Sequence, residues 1–263
     1  IYFDSYYKAE ENVANKLITL DKARNMKHIN DFEDELEKIE QKTDLILSDK
    51  QKEAIEAVND NNVCIITGGP GTGKTTIIKA ILELYKDVNK LSYEKLQDKV
   101  ALLAPTGRAA KRMTETTGEE AKTLHRLLEI GKIEEERTSK YNDFDVAPLD
   151  ADVIIVDEMS MVDLFLMNYL VKAIYQGSKL VLVGDVDQLP SVGPGNVLAD
   201  LINSKRIKTI VLNKIFRQAA KSKIIINSHR VNSGETFIKP QESAEELNQD
   251  FFYIKENNQD KIL

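Results

Sequence analysis

From residue 62 onward, short and nearly continuous apolar runs alternate with segments of helical periodicity. Continuous runs are typical of parallel strands that are covered on both faces. Helical segments lie between them, at 75–85, 107–116 and 163–175. The pattern therefore predicts βαβ units and a doubly wound α/β sheet with right-handed crossovers. The apolar runs are VCIIT (63–67), VALLA (100–104), DVIIVD (152–157), KLVLVGD (179–185) and IKTIVL (207–212).

The first part of the chain, residues 5–47, is highly charged and carries apolar residues at helical spacing. Such stripes predict two surface helices that pack on a core. A third helix is expected to begin at Ser48, because Ser48 and Gln51 have the spacing of a capping box. The two stripes are Val13, Leu17 and Leu20, then Phe32, Leu36 and Ile39.

Two segments interrupt the strand–helix alternation. Residues 131–150 are polar and lack an apolar period, so we interpret them as an insertion into the sheet. Residues 213–263 contain a predicted helix around 219–232 and a strand-like FFYI at 251–254. This last part is expected to be the start of a second domain.

Composition limits the function classes. The 263 residues are 42% hydrophobic and 30% charged, a globular balance. Cys64 is the only cysteine, which excludes an internal disulfide and a four-cysteine metal site, and favours a cytoplasmic location. No apolar run approaches the ~20 residues of a membrane-spanning helix. The net charge of −7 argues mildly against nucleic acid, although a binding groove needs only a local basic stripe.

The sequence GGPGTGKT at 68–75 matches the phosphate-binding pattern G-x-x-x-x-G-K-[ST], between a predicted strand and a predicted helix. Glycines let the backbone N–H groups turn toward phosphate oxygens, and the positive helix end adds to that field. Lys74 is expected to reach the β- and γ-phosphates, and the Thr75 hydroxyl to bind Mg²⁺. The expected nucleotide-binding set is Gly69, Pro70, Gly71, Thr72, Gly73, Lys74, Thr75 and Thr76.

Polar residues follow two further apolar strands. VIIVDE places Asp157 and Glu158 at a strand end, the edge where open α/β sheets bind ligands. Asp157 is placed to hold Mg²⁺ through water, and Glu158 to accept a proton from an attacking water. GDVDQLP offers the amide of Gln188, which can donate to a γ-phosphate and accept from water. The alternative for Gln188 is a polar turn that ends at Pro190.

Together these strings resemble superfamily 1 DNA helicases, specifically the RecD/TraA-type branch (exodeoxyribonuclease V α-subunit-like). The resemblance spans nearly the whole chain, and it implies a RecA-like P-loop NTPase fold. It implies an N-terminal helical segment at 1–47, an ATPase motor domain at 48–212 and the start of a second motor domain at 213–263. Residues 131–150, with Tyr141 and Phe144, coincide with the position where this branch inserts a small pin that splits the duplex. The matching stretches are LSDKQKEAI (47–55), GGPGTGKTT (68–76), APTGRAAKRM (104–113), TLHRLL (123–128), VIIVDEMSMVD (153–163), LVGDVDQLPSVGPG (182–195), IFRQ (215–218) and NSHRVNSGE (227–235).

The resemblance also implies roles for single residues. Gln51 corresponds to an adenine-reading glutamine, while its capping-box role is the competing interpretation. Arg217 corresponds to an arginine that approaches the γ-phosphate, with a surface arginine as the alternative. His125 corresponds to a DNA-side residue, with a structural histidine as the alternative. The implied single-stranded DNA contacts are Pro105, Thr106, Gly107, Arg108, His125 and Pro190.

The implied function is an ATP- and Mg²⁺-dependent helicase or translocase on single-stranded DNA, of 5′-to-3′ polarity, in recombination and repair. Partner subunits of a nuclease complex, or fusion to a conjugative relaxase, are compatible with it, and no membrane partner is expected. The alternatives are another P-loop NTPase or a non-catalytic nucleotide-binding subunit. A GTPase would carry N/T-K-x-D, and residues 213–216 (NKIF) lack the aspartate. Because the chain starts at Ile1 and the second motor's motifs are missing, a fragment of weak activity is expected.

Overall fold

The computed structural model describes residues 3–23, 28–43, 45–130, 146, 148–216, 222–239 and 250–252. The chain divides into two compact units. The larger unit comprises Ile1–Gly68 and Lys74–Leu212. The smaller unit comprises Gly69–Gly73 and Asn213–Leu263.

A six-stranded sheet forms the centre of the larger unit, in the order β3-β2-β4-β5-β1-β6. All neighbouring strands are parallel, as the continuous apolar runs predict. The strand bounds agree with the five predicted runs to within one residue, and the α/β fold class is confirmed. The strands are β1 (Val63–Gly68), β2 (Val100–Ala104), β3 (Ala121–Thr123), β4 (Val153–Val156), β5 (Lys179–Gly184) and β6 (Lys208–Leu212).

Helices cover both faces of this sheet. In β4, Ile154 and Val156 join one apolar cluster while Val153 and Ile155 join the other. This division explains why the strand is apolar at every position. In the larger unit the helices are α1 (Asp4–Asp21), α2 (Phe32–Thr43), α3 (Asp49–Asp60), α4 (Lys74–Val88), α5 (Tyr93–Lys99), α6 (Gly107–Thr117), α7 (Leu124–Leu127), α8 (Leu164–Ala173) and α9 (Val197–Asn203), with a 3₁₀ turn at Met159–Met161.

The two N-terminal helices pack on opposite faces of the sheet through the predicted stripes. Val13, Leu17 and Leu20 of α1 are buried in one apolar cluster. Leu36 and Ile39 of α2 are buried in the other. Helix α1 packs against α8, where the rings of Tyr6 and Phe165 lie 5.2 Å apart and Asn12 donates a hydrogen bond to Asn168.

The smaller unit contains helix α10 (Lys223–Asn232), close to the predicted helix around 219–232. The strand-like FFYI is not a strand at its two described residues, Phe251 and Phe252. Most of the predicted insertion at 131–150, including Tyr141 and Phe144, lies outside the described residues, so the pin remains a prediction.

Within the described ranges, no helix is both long enough and apolar enough to cross a membrane.

Candidate active site

The carboxyl ends of β4, β5 and β1 lie side by side at one edge of the sheet. Asp157 and Glu158 follow β4, Asp185 follows β5, and Lys74 begins the helix after β1. Burial lowers the pKa of Lys74, whereas the negative charges of Asp185, Asp157 and Glu158 raise it. The structure therefore brings the predicted lysine and both predicted carboxylates into one electrostatic cluster.

Lys74 has a defined contact at this edge. Its Nζ donates to the Gly68 carbonyl at 2.5 Å, so the ammonium group lies at the end of β1. Helix α4 starts at Lys74, and Thr75 stands in its first turn. The positive end of α4 therefore lies where the sequence predicts phosphate to bind.

The glycine-rich loop Gly69–Gly73 connects β1 to α4. Gly71 and Gly73 have φ values of +76° and +84°, a left-handed conformation that glycine adopts without steric penalty. Thr72 Oγ1 donates to the Gly69 carbonyl at 2.8 Å, which closes the loop on itself. The loop thus has the conformations that the phosphate-binding pattern requires at its glycines.

Asp157 is fixed at the end of β4 by its backbone. Its N–H donates to the Leu103 carbonyl of β2 at 2.9 Å. Its Oδ1 accepts the Glu158 N–H at 2.8 Å. Burial raises the pKa of Asp157, while the Glu158 N–H and the positive charges of Lys74 and Arg112 lower it.

Glu158 has a strained backbone conformation, with φ +55° and ψ +42°. Non-glycine residues rarely adopt this left-handed region, and it is enriched at functional sites. Burial, and then the charge of Asp157, raise the pKa of Glu158. A carboxylate with a raised pKa is better matched to accepting a proton near neutral pH.

Asp185 is a site residue that our sequence reasoning missed. It is 3% exposed, and its Oδ1 accepts the Asp187 N–H at 3.1 Å. The Gln188 side chain donates from Nε2 to Asp185 Oδ2 at 3.4 Å, so Asp185 orients the predicted sensor amide. The available signal was its position, since Asp185 directly follows a buried strand just as Asp157 does.

A second missed residue is Arg112 of α6. Its positive charge acts on the pKa of Lys74, Asp157 and Glu158. Arg112 stands one turn beyond Arg108, and its side chain is exposed. In α-helices long side chains lean toward the N-terminus, which for α6 is the edge that carries the carboxylates.

The two residues with competing interpretations differ in what the structure describes. Gln51 is 1% exposed, and its Oε1 accepts the Ser48 N–H at 2.9 Å, so the capping box is formed. The adenine contact of Gln51 remains a prediction. Arg217 lies outside the described residues, and its approach to a γ-phosphate also remains a prediction.

The predicted DNA contacts follow β2 and β3, which are neighbours at the same edge. Ala104 of β2 pairs with Thr123 of β3, so the loop at 105–107 and the start of α7 lie side by side. Arg108 and His125 are both exposed there. Thr106 Oγ1 accepts the Ala109 N–H at 3.2 Å and caps α6, and Pro190 is exposed in the loop after β5.

The donor set fits Mg²⁺ that arrives with a nucleotide. No cluster of three or more histidine, cysteine or carboxylate side chains in the described part of the chain could hold a metal. Mg²⁺ is usually bound by one or two protein oxygen ligands together with substrate phosphates and water. The hydroxyl of Thr75 and the half-buried carboxylate of Asp157 are ligands of that kind.

Comparisons with known proteins identify the family of the chain. Residues 51–194 match a family model described as an AAA domain. The chain is 40% identical over 189 residues to the ATP-dependent RecD2 DNA helicase of Deinococcus radiodurans, covering 72% of this chain and 24% of that protein. It is 36% identical over 224 residues to the RecBCD enzyme subunit RecD of Mycobacterium tuberculosis strain H37Rv, covering 79% of this chain and 36% of that subunit.

The chain is also similar in fold to a solved helicase structure. The crystal structure of the Pif1 helicase from Candida albicans aligns with a TM-score of 0.51 at 24% identity, covering 73% of this chain and 45% of that one. The chain thus spans between 24% and 36% of the length of the two curated relatives.

Proposed function

Because the chain belongs to the AAA-domain family and is related to RecD-type helicases, we propose that it is the ATP-hydrolysing part of a motor on single-stranded DNA. One observation carries the proposal. Lys74 follows β1, Asp157 and Glu158 follow β4, and Asp185 follows β5, which lies between those two strands. The carboxyl ends of the three strands are contiguous, and the charges of these residues interact. A non-catalytic binding subunit would not need a strained, desolvated glutamate at this edge.

In the proposed reaction, water attacks the γ-phosphorus of ATP, the bond to the β–γ bridging oxygen breaks, and ADP leaves. Glu158 takes the proton that the attacking water loses. Lys74 exchanges the Gly68 carbonyl for phosphate oxygens, and Gln188, oriented by Asp185, contacts the γ-phosphate. Mg²⁺, held by Thr75 and Asp157, would neutralise phosphate charge.

Single-stranded DNA is the proposed track, along the edge that bears Arg108 and His125. Thr106 caps α6 with its side chain, which leaves phosphate contacts to exposed backbone and to Arg108. Contacts of this kind bind phosphate and sugar without reading bases. The proposal includes 5′-to-3′ movement and, by analogy with the RecD subunits, assembly with nuclease-complex subunits in recombination and repair.

The nucleotide part of the proposal is tested by calorimetry of MgATP binding to the wild type and to Lys74→Ala. The matched control is Lys79→Ala, which removes an exposed lysine from the same helix. We expect binding to be lost in Lys74→Ala alone. Equal affinity in all three proteins would refute the site, and tighter binding of GTP than of ATP would favour another class of P-loop enzyme.

A further inference from the structure

The segment after β6 donates two hydrogen bonds to the glycine-rich loop Gly69–Gly73. His229 Nε2 lies 3.2 Å from the Pro70 carbonyl oxygen. The Phe216 N–H donates to the Gly71 carbonyl at 3.1 Å. Both contacts lie within the smaller unit, and they involve successive carbonyl groups of the loop.

The direction of the histidine bond follows from its partner. A carbonyl oxygen only accepts, so Nε2 of His229 must carry the proton. Pro70 has no N–H, so its carbonyl is the only backbone polar group it brings to the loop. A loop that binds phosphate must turn its N–H groups toward the anion, which requires its carbonyls to point away. His229 holds the Pro70 carbonyl in a hydrogen bond that suits this orientation.

Close packing accompanies the hydrogen bond. A Cβ atom placed on Gly69 would lie 2.6 Å from Cε1 of His229 and 3.2 Å from Nε2. Real Cβ atoms do not approach other atoms that closely, so glycine at position 69 leaves room for the imidazole ring. The imidazole ring of His229 therefore occupies the space that a side chain at position 69 would need, and the same ring bonds the Pro70 carbonyl.

Helix α10, which carries His229, is stabilised by hydrogen bonds in its first turn and to the chain that follows it. Its first turn is capped by Ser222 Oγ, which accepts the Ile225 N–H at 3.2 Å. Asn227 is buried and bonds both backbone groups of Ile238, at 3.0 and 2.7 Å, so the chain after the helix folds back on it. This bracing holds the helix that carries the ring without using the ring itself.

We propose that His229 is a positioning residue for the phosphate-binding loop. It acts through the Pro70 carbonyl, keeps the loop in its anion-binding form before nucleotide arrives, and does not itself touch phosphate. The inference rests on the proposed nucleotide site, because only a loop that binds phosphate gains from this orientation.

The test compares His229→Ala and His229→Gln in the whole 263-residue chain. Glutamine can donate from Nε2 at a similar reach, and alanine cannot. Ser228→Ala is the matched control, since Ser228 is the exposed neighbour on α10 and its hydroxyl donates within the helix, to the Ile225 carbonyl at 2.8 Å. Calorimetry should show that His229→Ala weakens MgATP and MgADP alike by about 3- to 10-fold, the scale of one net hydrogen bond. His229→Gln should bind both nearly as the wild type does.

The equal loss for both nucleotides is the specific signature. Backbone N–H groups of such loops cradle the α- and β-phosphates, which ATP and ADP share. A loss confined to ATP would overturn the proposal, because it would mean direct contact with the γ-phosphate. Equal weakening in His229→Gln and His229→Ala would also overturn it, since a donor would then be irrelevant.

Stability and site identity are tested in the same series. If His229→Ala has a lower melting temperature than Ser228→Ala, His229→Met is measured in its place. Methionine fills the volume of the ring but offers no hydrogen-bond donor. Wild-type affinity in the donor-free variant, with binding lost in Lys74→Ala, would overturn this inference and leave the nucleotide site intact. Full binding by Lys74→Ala would instead refute the site.

Discussion

The carboxylate of Asp163 lies so close to Gly193 that a Cβ atom on Gly193 would overlap Oδ2. Asp163 cannot swing away freely, because its Oδ1 accepts the Leu166 N–H at 2.8 Å and caps α8. The next residue, Leu164, donates its N–H to the Pro194 carbonyl at 2.9 Å. The segment after Glu158 and the loop that carries Gln188 are thereby held to one another.

Gly193→Ala should destabilise the chain by about 1–3 kcal/mol, the usual penalty of overpacking. The added methyl must displace the Asp163 carboxylate and so disturb the cap of α8. Urea unfolding measures the change. The matched control is Gly107→Ala, where a Cβ meets nothing within 4 Å. Equal urea midpoints for the wild type and Gly193→Ala would show that Asp163 moves aside for the added methyl group without a loss of stability.

Asp157→Asn should stabilise the nucleotide-free chain while removing the proposed Mg²⁺ ligand. Burial raises the pKa of Asp157 above its ordinary value of 3.8, so folding favours the protonated form. Stability from such a group is present below the ordinary pKa and is lost as pH rises through the folded-state pKa. The amide keeps an oxygen that can accept the Glu158 N–H, so the backbone contact survives.

The advantage of Asp157→Asn should therefore grow as the pH rises above the ordinary pKa and level off once the pH passes the raised folded-state pKa. Urea midpoints across this range measure it. Asp150→Asn, which alters an exposed carboxylate just before β4, is the matched control. A difference in urea midpoint between Asp157→Asn and the wild type that is constant at all pH values would mean that the desolvated charge of Asp157 does not cause the stabilisation.

Glu158→Gln should bind MgATP but hydrolyse it about 10²-fold more slowly or worse, the scale of a lost general base. Single-turnover assays with single-stranded DNA present separate binding from the chemical step. Glu56→Gln, an exposed change on α3, should leave the rate unchanged. Turnover within a few-fold of the wild type would assign the proton acceptor elsewhere.

Arg108→Ala should weaken the binding of single-stranded DNA by a similar factor for different sequences, because the expected partner of Arg108 is phosphate. The slope of log K against log salt should fall by about 1. Fluorescence anisotropy with a poly-dT and a mixed-sequence oligonucleotide measures both quantities. Lys95→Ala, an exposed change on α5, is the control. A loss for one sequence alone would indicate base readout.

Most of the sheet could be predicted because its central strands are apolar throughout. β4 and β5 were located from their runs, and the structure buries each of their residues. β3 was missed because Ala121–Thr123 is short, half-buried and has no apolar period. Helices α5 and α9 were missed for a related reason, since each has only seven residues.

The sequence predicted the site residues that belong to a sequence motif. It did not predict the features that depend on tertiary contacts. Lys74 and Glu158 follow from strings that stand at strand ends. Other features depend on segments that are distant along the chain. These are the left-handed backbone of Glu158, the electrostatic effect of Arg112 on the site and the hydrogen bond from His229 to the Pro70 carbonyl. Gln51 shows the intermediate case, since the capping box was visible in the sequence while its competition with adenine was not resolvable there.

The contact of α1 with α8 has a consequence for the order of folding. Asn12 and Asn168 are separated by 156 residues, so their hydrogen bond closes most of the chain into one loop. The entropy of that closure must be met before the contact contributes. Helix α1 therefore docks only after the strands between these two residues have formed. Until then its apolar stripe stays in water, and pulse-labelled hydrogen exchange should find α1 protected later than β1 and β5.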